Sequence, residues 1–276
     1  TKNLTYRVNF GPDYTVRRNG RFTGSQTNSR RGGDATGSVD DRFQFNYTLE
    51  NILTYTKTFN SVHNLNLTAL QSFQQDRFQQ TSIGVLGIPA PSQLYHRLGD
   101  ASQITSANTN LVEWSLLSYM ARVNYDYKGK FLLTASARAD GSSRFGENNK
   151  FGFFPSAAFG WNLHQEEFLK NSSFFDQLKF RVSYGSIGNQ AITPYQTQAL
   201  LGRTSYAWDN TAAFGYRPNT IGNPDLRWES SSTFNTGFDF SILKNKIFGS
   251  IEYYITNTSD LLAPQPLPNS TGFGGF

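Results

Sequence analysis

Histidine is the side chain most often recruited for proton transfer and metal binding near neutral pH, and this chain has three: His63, His96 and His164. They stand in separate segments without ligand spacing, so no metal site is expected. Cysteine is absent, which removes thiolate ligands, disulfides and cysteine nucleophiles together. Ser186 sits in Gly185-Ser186-Ile187-Gly188, which lacks the spacing of a G-x-S-x-G nucleophile elbow. The chain has no P-loop and no G-x-G-x-x-G. Asp and Glu are plentiful, but no two stand out as a glycosidase pair. These residues predict no enzyme, no cofactor and no metal. Arg17, Arg18, Arg21, Arg30 and Arg31, with Gly32 and Gly33, form a basic patch. It reads as a solvated loop rather than a nucleic-acid site, and no nucleic-acid partner is expected.

The elements that would position any site read as β-strands. In Phe131–Leu163 the first arm places Phe131, Leu133, Ala135, Ala137 and Ala139 on one face. Leu132, Thr134, Ser136, Arg138 and Asp140 take the other, as the period of two requires. DGSSRFGENN forms a polar tip. In the return arm Phe153, Pro155, Ala157, Phe159, Trp161 and Leu163 share a face. Similar alternation marks strands near 1–10, 41–57, 62–75, 114–127, 178–184, 227–242 and 247–255, about nine in all. Between them lie polar stretches near 11–40, 76–113 and 186–225, and a link at 164–177 with room for one or two helical turns. Lys128-Gly129-Lys130 and Lys244-Asn245-Lys246 read as tight turns.

Aromatics are 15% of the 276 residues and the net charge is +5. Aromatic wealth with little leucine-rich helical patterning favours an all-β chain. No run of about 18 apolar residues is present, which excludes a transmembrane helix. Long and short connections alternate, so one end of the sheet carries long loops and the other mostly tight turns. Arg7, Arg42, Glu50, Arg122, Asp126, Arg138, Lys179, Arg181, Asp239 and Glu252 take the polar parity of their strands, and the apolar parity is essentially free of charge. An Arg or Lys facing lipid at mid-bilayer costs about 2–4 kcal/mol, so a lipid-exposed face would be cleared in this way. A soluble sandwich also alternates. Loops of about 30 to 40 residues are longer than sandwich hairpins use. Tyr125, Tyr127 and Trp161 gather near the short-turn end, where an interfacial girdle would lie.

The strings RADGSSRFGENNKFGFFPSAAFGWNL, LKFRVSYGSIGNQAITPYQ, IGNPDLRWESSSTFNTGFDFSILKNKI and IEYYITNTSDLLAPQPLPNSTG resemble successive barrel segments of the SusC/RagA family of TonB-dependent outer-membrane transporters. NILTYTKTFNSVHNLNLTALQS resembles that family's upstream hairpin. The likeness is collinear over nearly the whole chain, and the DGSSRFG…FPS…W string is its most specific part. The resemblance implies an antiparallel up-and-down transmembrane β-barrel wall: about nine strands of a larger barrel, with long external loops and mostly short periplasmic turns. It implies active import of glycan or oligosaccharide fragments, or in some members peptides, across the outer membrane of a Gram-negative bacterium. The partners it implies are outer-membrane lipid, a SusD-type surface lipoprotein over the barrel mouth, and the TonB complex acting through an N-terminal plug.

Residues 1–276 are expected to be an internal part of the barrel domain. No signal peptide, TonB box, plug or closing strand is read in them. About nine strands is too few for a plugged transporter barrel of roughly 22, and an odd count does not close a bacterial barrel. The Gly-Phe-Gly-Gly before Phe276 lacks alternation and is not read as a closing strand. Two open edges and an apolar face predict aggregation of the piece in water. The alternatives are a passive porin or adhesin barrel, and a soluble β-sandwich carbohydrate-binding domain. Carbohydrate is held by stacking on aromatic faces, so Tyr95, Trp114, Tyr206, Trp208 and Trp228 are candidate substrate contacts. Each has loop packing or interfacial anchoring as its plainer role. Arg144 in the tip is read as a brace for neighbouring loops.

Overall fold

The computed structural model describes residues 3–170, 172, 174–209 and 211–273; Phe276 lies outside them. Eleven strands follow one another: β1 (Leu4–Thr23), β2 (Thr36–Phe59), β3 (His63–Leu86), β4 (Gln103–Tyr127), β5 (Phe131–Ser142), β6 (Phe151–Asn162), β7 (Phe175–Asn189), β8 (Leu201–Trp208), β9 (Thr211–Pro218), β10 (Glu229–Ile242) and β11 (Ile247–Ser259). Nine form one sheet in the order β1-β2-β3-β4-β5-β6-β7-β10-β11, and β8 with β9 forms a second, two-stranded sheet. From β4 to β11 the neighbouring strands of the larger sheet pair antiparallel. The chain is all-β, as read from its alternation.

By density of contacts the chain falls into two units, one of Thr1–Asn9, Glu50–Phe73 and Leu116–Phe276, the other of Phe10–Leu49 and Gln74–Ser115. In the first unit, register turns the alternation into rows. Tyr127, Phe131, Trp161, Phe180, Phe238 and Ile251 stand side by side on six strands. Two residues further along comes Tyr125, Leu133, Phe159, Val182, Thr236 and Tyr253, and beyond that Val123, Ala135, Ala157, Tyr184, Phe234 and Ile255. The opposite face carries Asn124, Thr134, Ala158, Ser183 and Asn235 in one row and Asp126, Leu132, Gly160, Arg181, Gly237 and Glu252 in another. The apolar face is not packed against anything: Leu133, Phe153, Tyr184, Phe238 and Ile251 are exposed. A soluble sandwich would bury these residues in its core.

In the second unit a small core of Ala35, Val85 and Ile88 is lined by Phe22, Leu98 and Ala101. Asp76 is buried and accepts from Gln44 at 2.7 Å and Asn46 at 3.3 Å. Tyr14 meets Phe43 edge-on, ring centroids 5.0 Å apart.

The structure corrects three readings of the sequence. The stretches near 11–40 and 76–113 are largely strand, since β1 runs to Thr23, β2 starts at Thr36, β3 runs to Leu86 and β4 starts at Gln103. The links shrink to 24–35 and 87–102, far shorter than the loops expected. The extensions also place Arg18, Arg77 and Glu113 on the parity of Val16, Phe73 and Leu117. Charge on that parity is paired, Arg18 with Asp41 at 3.6 Å and Arg77 with Glu113 at 3.4 Å. Residues 186–225 are irregular only in part, because they hold the end of β7 and the β8–β9 hairpin. Links of 12, 16, 8 and 39 residues at 24–35, 87–102, 143–150 and 190–228 nevertheless alternate with shorter ones at 60–62, 128–130 and 243–246, and the 12-residue link at 163–174 breaks that pattern. That last link opens with a 3-10 turn, Leu163–Gln165.

Candidate functional site

The β5–β6 tip and the 190–228 link build the most elaborate constellation. Phe145 is buried to 2% exposure with Phe154 and Trp228 around it. The Trp228 ring lies 5.2 Å from Phe145 and 5.5 Å from Phe154, centroid to centroid. Its indole Nε1–H donates to the Lys150 carbonyl at 2.9 Å, which satisfies the polar end of a buried tryptophan. Arg144 Nη1 donates to the carbonyls of Ile192 at 2.8 Å and Gln190 at 3.3 Å, so it braces the neighbouring link as its position in the tip suggested. Asn149 Nδ2 donates to the Asp225 carbonyl at 3.2 Å. Gly146 approaches the same link so closely that a Cβ there would sit 2.2 Å from the Pro224 carbonyl oxygen. The tip thus grips both ends of the 190–228 link.

Local sequence makes room for this grip. The β6–β7 register runs only from Ser156 to Asn162, so β6 above Ser156 lacks a β7 partner. Pro155 stands at that boundary, where a missing N–H costs a sheet least. Gly188 of β7 faces the Phe154 ring, which a Cβ would meet at 2.1 Å.

Between the gripped ends stands the β8–β9 hairpin. Its register puts Tyr206 opposite Ala213 and Trp208 opposite Thr211 on one face, and Phe214 opposite Ser205 and Tyr216 opposite Arg203 on the other. Tyr206 and Trp208 have ring centroids 6.3 Å apart, and all four aromatics are exposed, Trp208 to 72%. The Arg203 guanidinium covers the Phe214 ring at 4.0 Å. Two exposed aromatic faces on a narrow hairpin can stack on flat apolar faces of a ligand while the backbone and Arg203 offer polar contacts.

The remaining candidates lie elsewhere. Tyr95 is half-buried, its ring 4.3 Å from His96 and so close to Gly20 that a Cβ there would sit 2.1 Å from it. Trp114 is half-buried within β4. Only Tyr206 and Trp208 are brought together in the open, and the geometry gives Trp228 the packing role. Sequence reasoning missed Phe214, Tyr216 and Arg203, although TSYAW and TAAFGY flanking Asp209-Asn210 carry a two-residue hairpin signal. The histidines stay apart: His63 Nδ1 lies 2.6 Å from the Tyr125 hydroxyl, and His164 Nδ1 lies 3.3 Å from the Leu178 carbonyl. No group of three or more metal-ligating side chains occurs among the described residues. Of the basic patch, Arg17, Arg18 and Arg21 belong to β1 rather than to a loop.

The polar face of the first unit is ionic. Arg181 Nε donates to Asp239 at 3.1 Å, its Nη1 to Asn235 at 3.2 Å, and its Nη2 pairs with Glu252. Arg138 Nε donates to both Asp140 oxygens at 2.8 Å, and its Nη2 to Ser118 Oγ at 3.0 Å. In the 163–174 link, Glu166 accepts from Lys130 Nζ and from Trp161 Nε1, both at 2.9 Å. The Lys130 hydrogen bond first, then that of Trp161, holds its carboxyl below the usual 4.5.

An exposed apolar face, an ionic face and alternating link lengths are the marks of a membrane barrel wall. Residues 1–275 match the family described as TonB dependent receptor-like, beta-barrel. The chain belongs to that family. Its members are outer-membrane β-barrel proteins that act as receptors and transporters rather than enzymes. TonB-dependent receptor P3 of Formosa agariphila is 36% identical over 241 residues, 87% of this chain and 24% of that protein. TonB-dependent receptor SusC of Bacteroides thetaiotaomicron is 37% identical over 164 residues, 58% of this chain and 16% of that protein. The RagAB peptide transporter structure superimposes with a TM-score of 0.89 at 25% identity, over 100% of this chain and 30% of that one. The resemblance to SusC and RagA read from the barrel strings is borne out. The chain spans about a quarter of the length of the first curated relatives it matches, 24% and 26%.

Proposed function

We propose that this chain is part of the barrel wall of a TonB-dependent importer in a Gram-negative outer membrane, moving glycan fragments or peptides inward with a SusD-type lipoprotein. Residues 1–276 would be one piece of a larger barrel domain, its strands crossing the bilayer and its plug supplied by other parts of the protein. The carrying observation is the contrast between faces: Ala135 stands in a row of outward apolar side chains, and Ser136, its neighbour, pairs with Ser156 at 2.7 Å on the polar face. The outward aromatic row from Tyr127 to Phe238 supports the reading as an interfacial girdle. The exposed Tyr206, Trp208, Phe214 and Tyr216 support cargo contact at the hairpin. Peptide as the cargo class is favoured by the RagAB neighbour, and glycan by the stacking chemistry of the hairpin.

Paired substitutions in the full-length protein test the wall. Ala135→Arg should cost about 2–4 kcal/mol at mid-bilayer and block outer-membrane assembly, while Ser136→Arg is tolerated. Equal tolerance of both would sink the barrel reading. Uptake of labelled oligosaccharides and peptides by cells with and without TonB tests the importer, and undiminished uptake without TonB would make the protein a passive pore.

A further inference from the structure

Two amides interrupt the apolar parity beside small side chains. Asn51 of β2 and Gln71 of β3 share it with Leu53 and Ala69, and both are half-buried. Tyr6 Oη donates to Asn51 Oδ1 at 2.7 Å, and Asn51 Nδ2 donates to Gln71 Oε1 at 2.6 Å. Donation runs one way along this string, so the Gln71 Nε2 hydrogens are left over, with no acceptor among the described residues. A primary amide donor facing hydrocarbon without an acceptor is costly. Inside a bilayer, acceptors come from lipid carbonyls and hydroxyls.

The string borders a groove of about 520 Å³. Its floor is small because Ala69, Ala121, Ala137 and Ala139 meet there, and its rim is bulky at Tyr119 and Phe153. A trough of that volume has room for one hydrocarbon chain. Tyr119, Ala139 and Phe153 share a register row, eight residues along β4 from the row of Tyr127 and Phe131. At about 3.4 Å per residue and a tilt near 40°, the two rows are roughly 20 Å apart along the bilayer normal. The upper row therefore lies toward the edge of the hydrocarbon on the side of the 143–150 tip, where the first carbonyls of acyl chains occur.

We infer that this outward groove is a lipid site, holding one acyl chain of an outer-leaflet glycolipid of the lipid A type with its first carbonyl accepting from Gln71 Nε2. The inference rests on the proposed membrane orientation, since only that orientation puts hydrocarbon against Ala137 and an acyl carbonyl beside Gln71. A second copy of the chain would bring a flat apolar wall against the trough, without the carbonyl that the Gln71 amide requires.

The test is native mass spectrometry of the full-length protein purified in mild detergent, with added lipid A and, in parallel, phosphatidylethanolamine. Wild type should retain one lipid A molecule that Ala137→Phe, which fills the floor, lowers about tenfold in occupancy. Gln71→Leu, which removes the donor and adds no bulk, should lower it about fivefold. Leu133→Phe, on the same face outside the groove, should leave it unchanged. Undiminished lipid A on both groove variants overturns the inference. So does phosphatidylethanolamine retained in its place, or a dimer that Ala137→Phe splits while lipid stays. Equal outer-membrane assembly of Ala135→Arg and Ser136→Arg would be the separate failure of the membrane reading.

Discussion

Trp208 and Trp228 lie on one link, twenty residues apart, and their surroundings are opposite. Trp228 is 8% exposed, backed by Phe145 and Phe154 and capped by the Lys150 carbonyl, whereas Trp208 is 72% exposed on a hairpin with no third strand. A two-stranded hairpin alone is marginal in water, so the order of β8–β9 depends on what holds its base. Aromatic residues on this link therefore divide into a holder and a held part. The holder contributes stability, and the held part contributes surface.

The comparison breaks most visibly at Phe145. Phe145→Ala should cost about 3–5 kcal/mol and open the 190–228 link to limited proteolysis; a link that stays resistant would show that the tip does not hold it. Gly146→Ala drives a Cβ against the Pro224 carbonyl and should cost about 1–3 kcal/mol, read as a lower midpoint in denaturant. On the held side, Tyr206→Ala with Trp208→Ala should move stability by no more than about 0.5 kcal/mol while weakening ligand binding by about 1–2 kcal/mol. A stability loss as large as that of Phe145→Ala would erase the distinction.

The smallest effect sharpens the contrast with a third indole, Trp161, whose setting switches with pH. Glu166 titrates below its ordinary 4.5 because Lys130 and Trp161 donate to its ionised form. A carboxyl depressed by folding contributes stability above its unfolded value, and that contribution is lost as pH falls through the lower folded value. The emission difference between wild type and Trp161→Phe should therefore change only below about pH 4.5. A transition above that pH would mean that Glu166 is not its partner.

The nine strands of the large sheet are legible in the sequence wherever one face must be apolar and the other polar, as in Phe131–Ala139 against Leu132–Asp140. Legibility fails where that contrast fades. Residues 17–21, Arg-Arg-Asn-Gly-Arg, are polar at every position, and so are Gln103 and Thr105–Asn110 apart from Ala107, yet both stretches are strand. Pairing without burial leaves no hydropathy signal. The β8–β9 hairpin was hidden for a related reason, since Tyr206 and Trp208 on one face and Phe214 and Tyr216 on the other make both faces aromatic. The grip by Arg144, Phe145 and Gly146 joins residues far apart in sequence, and only its polar tip and the bracing Arg144 could be read in advance. Tyr206 and Trp208 emerged as the open aromatic pair, while the burial of Trp228 depended on Phe145 and Phe154, which no local pattern connects to it.

The grip also separates what may vary from what must stay. Arg144, Phe145, Gly146 and Asn149 contact the link at Gln190, Ile192, Pro224, Asp225 and Trp228, none of which lies in residues 201–218. Exchanging 201–218 for another hairpin of equal length should leave the melting temperature unchanged while, on the proposed importer reading, altering which molecule is bound. Mutation can then rewrite the hairpin without disturbing its mount, and a lineage of such proteins can renew the exposed surface of this link by editing eighteen residues rather than by rebuilding the wall.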